Sequence, residues 1–158
     1  MLMLDLVFQN STSDKEFRRD LFEKIIRVGV GELNIRDSNV GISINLVNES
    51  RIKELNNQYR HKNKVTDILS FPMSSGALQK LLTTNYSPHT TDFGDIFICL
   101  PFAKKQAKSE NISIDKKLAQ LTVHGFLHLV GYDHEVSRQE AGKMLNLENK
   151  ILNKLYDW

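Results

Sequence analysis

The chain has 158 residues, the length of about one ordinary domain, and 41% of them are apolar against 25% charged. A chain of that size buries enough surface to fold without a disulfide framework or a structural metal, and its composition excludes a collagen-like, coiled-coil or disordered chain. Twenty-one Lys and Arg against nineteen Asp and Glu leave a formal charge of +2, too balanced to signal nucleic-acid binding over the whole surface, so any basic footprint is local.

Leu2 to Phe8 reads as a first strand. It has no positively charged lead-in and carries Asp5 inside its apolar stretch, unlike a signal peptide, and no apolar run approaches the ~18 residues of a membrane helix. One cysteine, Cys99, excludes an internal disulfide and a thiolate zinc cage; the expectation is a cytoplasmic protein. Ser13 and Glu16 have the spacing of a capping box, and Phe17, Leu21, Ile25 and Val28 then recur at helical intervals. Val40, Ile42, Ile44 and Leu46 alternate as in a half-buried strand, and Asn48 can cap a second helix carried by Ile52, Leu55 and Tyr59. Thr66 to Phe71, stopped by Pro72, reads as a strand at or near a sheet edge.

Residues 73 to 92 read as either a long polar loop or a loop holding one helical turn around Leu78 to Leu82; loops of that length are uncommon unless functional or mobile. Phe93 to Leu100 reads as the next strand, Pro101 suits the first turn of the helix after it, Ser113 caps a helix from Ile114 to about Val130, and Ser137 with Glu140 opens a final helix. This order, without internal repeat or linker, predicts one domain over 1–158 of the α+β class, a small mixed four-stranded sheet covered by helices.

Three of the five histidines fall in the run His124-Gly-Phe-Leu-His128-Leu-Val-Gly131-Tyr-Asp-His134. On a helix, residues i and i+4 lie about 6 Å apart along the axis and about 40° apart around it, so His124 and His128 can aim at one ion. His134 would sit about 15 Å further up a continuing helix. Gly131 supplies the left-handed residue that ends the helix and lets the third histidine fold back. The expectation is one Zn2+ ion per chain, held at the end of a long helix by His124, His128 and His134. Three imidazoles leave the fourth tetrahedral position open, as in catalytic zinc sites.

The same spacing occurs in metzincin proteases, but their general-base Glu after the first His is Gly125 here. Gly125 either widens the site for a bulky phosphodiester or allows close packing against the sheet. Nothing matches a phosphate-binding Gly loop, a dinucleotide fingerprint or a nucleophile elbow, so no nucleotide cofactor is expected.

These residues resemble the H-G-x-L-H-L-x-G-Y-D-H signature of the bacterial YbeY endoribonucleases. Leu55-Asn-Asn-Gln-Tyr-Arg60-His-Lys is similar to that family's L-N-x-x-Y-R-x-K, Thr66 to Pro72 to its T-D-V-L-S-F-P, and Gly94-Asp95-Ile96 to its next strand. The resemblance runs from about residue 40 onward. It implies a single-strand-specific, metal-dependent endoribonuclease acting in ribosomal RNA maturation, at the end of the small-subunit RNA, and in ribosome quality control. It implies zinc on the three histidines, Arg60 as a catalytic residue in the cleft, and single-stranded RNA, ribosomal RNA and the ribosome as partners.

Residues 51 to 64 carry five Lys or Arg against one Glu, which makes Lys62 and Lys64 candidate substrate contacts beside Arg60; the alternative is a solvated charged face. Lys104, Lys105, Lys108, Lys116 and Lys117 form a second basic stretch, read as surface or a ribosome contact. Asp133 and Glu135 either orient a ligand imidazole or act as a base, or are solvated charges. Cys99 reads as a buried hydrophobe, and His61 and His89 as solvated. Two other functions fit the residues: a zinc-dependent peptidase, and a non-catalytic ribosome assembly factor stiffened by zinc.

Overall fold

The computed structural model describes residues 2–35, 39–73 and 90–156; His89 and the helical turn expected at Leu78 to Leu82 lie outside them. Along the described residues the elements run β1 (Met3–Asn10), α1 (Arg19–Glu32), β2 (Asn39–Val47), α2 (Glu49–Arg60), β3 (Ile68–Pro72), β4 (Thr91–Cys99), α3 (Leu100–Glu110), α4 (Ile114–Leu129) and α5 (Arg138–Leu155). The sheet has the strand order β1-β2-β4-β3. β1, β2 and β4 are parallel, with Leu4 opposite Val40 and Ile44 opposite Ile96, while β3 runs antiparallel to β4 with Ile68 opposite Ile98. The expected mixed α+β sheet is therefore present, and β3 is an edge strand.

The strict alternation in β2 has its usual consequence: side chains two apart share a face. Val40, Ile42, Ile44 and Leu46 lie in the main core with Leu6, Ile96 and Ile98, and α1, α4 and α5 add Phe22, Ile26, Phe126, Leu127, Met144 and Ile151. The residues between them point the other way. Val47, Leu69 and Cys99 form a smaller cluster with Ile52 and Leu55 of α2. Cys99 is buried, and desolvation pushes its thiol pKa up, so it is the inert hydrophobe expected.

Three helix starts follow their local signals. Asn48, Ser113 and Ser137 accept hydrogen bonds from the backbone N–H groups of Arg51, Lys116 and Glu140. The Ser13 and Glu16 box does not form. α1 begins at Arg19 without a side-chain cap, because Asn10 holds the preceding loop: its amide donates to the Asp14 carbonyl at 2.8 Å and its Oδ1 accepts from the Thr12 N–H at 3.0 Å. No helix among the described residues is long and apolar enough to cross a membrane.

Gly125 sits on the sheet-facing side of α4. A Cβ there would lie 2.8 Å from Ile68 Cδ1 and 3.3 Å from two carbons of Ile96. Of its two sequence readings the packing one holds, and Gly125 is not among the residues lining the cleft described below. Gly125→Val is expected to lower unfolding stability by about 3 kcal/mol, the upper end for overpacking a filled interior. A denaturant titration showing no loss would mean that α4 does not press on β3 and β4 here.

Candidate metal centre and substrate cleft

The last two turns of α4 present His124 and His128 one turn apart, and the helix then stops as the sequence requires. Gly131 has φ +110°. Its N–H returns to the His128 carbonyl at 3.1 Å and the Tyr132 N–H to the Leu127 carbonyl at 2.9 Å, the paired bonds of a Schellman end. The chain reverses, and Asp133 Oδ1 accepts from the Glu135 N–H at 2.8 Å, tightening the turn that carries His134. The three ring centroids end 4.6 to 5.3 Å apart.

One nitrogen from each of the three rings lies within 4.8 Å of the other two, so the set could hold a metal ion. His124 Nε2 and His128 Nε2 are 3.1 Å apart. Two nitrogens bound to a tetrahedral ion at ~2.0–2.1 Å stand about 3.3 Å apart, so the pair needs almost no movement to accept one. His128 is held below the ordinary histidine pKa, first by burial and then by the neighbouring His124 and His134 imidazoles, with a backbone hydrogen bond at Tyr132 and the charge of Asp133 opposing. The shift favours the neutral ring that a metal requires.

A further partner comes from α5. His124 Nδ1 lies 2.6 Å from Glu148 Oε1. Glu148 carries no signal in the sequence: it sits 24 residues from His124, in a helix legible by its Ser137 cap, and no spacing ties the two together. Asp67, part of the expected strand, has a second role. It lines the cleft, with Oδ2 accepting from Gln106 Nε2 at 3.2 Å.

The histidines open onto a cleft of about 560 Å³. Arg60, Thr66 to Ser70 and Pro72 form one side, and His124, His128 and Gly131 to Glu135 the other. Arg60 therefore shares a cleft with the triad, although α2 lies across the sheet edge from α4. It is exposed in the last turn of α2 and has no ion-pair partner among the described residues. Lys62 and Lys64 are exposed in the following turn, which Asn56 Nδ2 holds through the Lys64 carbonyl at 3.0 Å; neither lines the cleft. His61 is exposed as expected and caps α2 with φ 58°. Asp133 and Glu135 line the cleft beside His134.

The second basic stretch is largely neutralised by acidic neighbours. Lys104 pairs with Asp14, and Lys105 lies 3.2 Å from Glu49. Lys117 is not a surface residue: it is buried, with both Glu110 carboxylate oxygens at 2.9 and 3.0 Å.

Three histidines from a helix end and a returning loop, lining an open cleft, are the arrangement of a metal-dependent hydrolase. The chain belongs to the endoribonuclease YbeY family, whose model matches residues 7–156. It is 41% identical to endoribonuclease YbeY of Sulfurihydrogenibium sp. (strain YO3AOP1) over 89% of this chain and 83% of that one. Against endoribonuclease YbeY of Aquifex aeolicus (strain VF5) the identity is 36%, over 89% and 86%. The solution structure of TM1509 from Thermotoga maritima superposes with a TM-score of 0.66 at 26% identity, covering 96% of this chain and 89% of that one.

Proposed function

We propose that the chain acts as one domain, a single-strand-specific endoribonuclease that carries one zinc ion on His124, His128 and His134. In this reading it trims ribosomal RNA at the small-subunit RNA end, takes part in ribosome quality control and works in the cytoplasm. The observation that carries the reading is the shared cleft: the Arg60 guanidinium, without an ion-pair partner among the described residues, and three convergent imidazoles line one hollow. When bound, the ion supplies Lewis-acid stabilisation of charge on the scissile phosphate. Arg60 donates to a non-bridging phosphate oxygen, and its fixed charge balances the negative charge that builds in the transition state. Lys62 and Lys64, exposed in the turn after Arg60, attract the RNA backbone outside the cleft.

A peptidase reading has one observation in its favour: the edge strand β3 lines the cleft, and an extended peptide can pair with such an edge. Gly125 stands against it, in the position of the metzincin general base.

The test uses parent and Arg60→Ala protein on single-stranded RNA, duplex RNA and unfolded protein. The parent should cut single-stranded RNA alone. Its product ends separate attack by water from attack by the substrate's own ribose hydroxyl. Arg60→Ala should keep zinc and melting temperature and cut about 10–100-fold more slowly, the worth of one hydrogen bond to a charged group. Its log–log salt slope of RNA binding should shrink by about 0.7. Arg60→Ala cutting at the parent rate, or losing its zinc, would overturn the assignment of Arg60. Cleavage of protein with RNA left intact would favour the peptidase.

A further inference from the structure

Glu148 occupies a place in α5 that packing alone does not explain. Met144 and Ile151, four residues before it and three after, are buried at 1% and 0% exposure, so Glu148 shares the face that α5 turns into the molecule. Its side chain is only 19% exposed, where an aliphatic residue would cost less. Its carboxylate meets His124 Nδ1 at 2.6 Å, the short distance of a charge-assisted bond.

An ionised carboxylate only accepts hydrogen bonds, so this contact requires Nδ1 of His124 to carry the proton. The lone pair of the neutral ring is then on Nε2, the nitrogen that stands 3.1 Å from His128 Nε2. We infer that Glu148 is a positioning residue, which holds His124 in the Nδ1–H tautomer and at the ring angle that aims Nε2 at the ion. The inference rests on the reading of His124 as a metal ligand. A ligand imidazole that donates its other N–H to a carboxylate becomes a better electron donor, and loss of such a partner costs about 10–100-fold in metal affinity.

The experiment compares parent, Glu148→Gln, Glu148→Asp and Glu148→Ala. Zinc affinity is measured by competition with a chromophoric chelator, and the His124 tautomer by ring nitrogen chemical shifts in metal-free protein, assigned with a His124→Gln control. Melting of the metal-free proteins reports the fold. The parent should show Nδ1–H at His124. Glu148→Gln, which keeps the shape, should mix the tautomers and weaken zinc binding about 10–100-fold; Glu148→Asp should recover part of both.

Zinc affinity in Glu148→Gln within threefold of a zinc-binding parent, with the tautomer unchanged, would overturn the role of Glu148 and leave the metal site standing. A parent that binds no zinc would overturn the metal reading and this inference with it. Because Glu148→Gln is isosteric, failure of Glu148→Ala to fold leaves these outcomes readable.

Discussion

His128→Ala is expected to lose most of its zinc and to cut RNA more than about 100-fold more slowly than the parent. A partner that merely orients a ligand is worth 10–100-fold in metal affinity or activity, so a ligand itself must be worth more. Two imidazoles would remain, one of them on an exposed turn. The fold should survive, because the main core is built from β2, β4, α1, α4 and α5 side chains that do not include His128. Zinc content, melting of metal-free protein and RNA cleavage are to be measured on the same preparations. Full zinc and full activity in His128→Ala would remove the central claim about this site.

Much of this site is legible in the sequence because it is local. His124, His128, Gly131 and His134 act through helix pitch and one left-handed residue, and both are properties of a few consecutive positions. The caps at Asn48, Ser113 and Ser137 are legible for the same reason. The box at Ser13 fails where longer-range contacts compete: Asp14 is drawn to Lys104, Phe17 is buried in the core, and Asn10 ties the loop between them. Local propensity is a weak prior against contacts of that kind.

Other features depend on which faces meet, and no spacing reports that. Gly125 has the same helical phase whether it faces the cleft or the sheet, and only the seating of α4 against Ile68 and Ile96 decides. Glu148 reaches His124 because α5 packs beside α4. Arg60 is visible in the sequence as a charge in a basic segment, but its entry into the cleft follows from the strand order. β3, which follows α2, takes the sheet edge beyond β4, and Arg60 and Thr66 to Ser70 line the same cleft as the last two turns of α4.

The pH dependence of the site follows from the same neutrality. Each imidazole must be unprotonated to bind, so in acid the metal competes with as many as three protons, and log affinity should fall by up to about three per pH unit. A single titrating ligand gives a slope of one. For His128 the sign is set by its lowered folded pKa. In the unfolded chain it takes up its proton near ~6.5, whereas the folded protein resists protonation until a lower pH. Between those values the unfolded state binds more protons, so the contribution of His128 to stability is fully present above the unfolded pKa and is lost as pH falls through the folded one.

Metal-free protein should therefore melt at progressively lower temperature from pH 7.5 towards pH 5, and His128→Gln should show a shallower decline. With zinc present the decline should be steeper, because release of the ion removes its binding energy over the same acid range. Zinc retention by equilibrium dialysis and melting curves, taken across that range with and without chelator, measure both effects. Retention that is flat from neutral pH to below pH 5 would show that the ion is not held by three histidines.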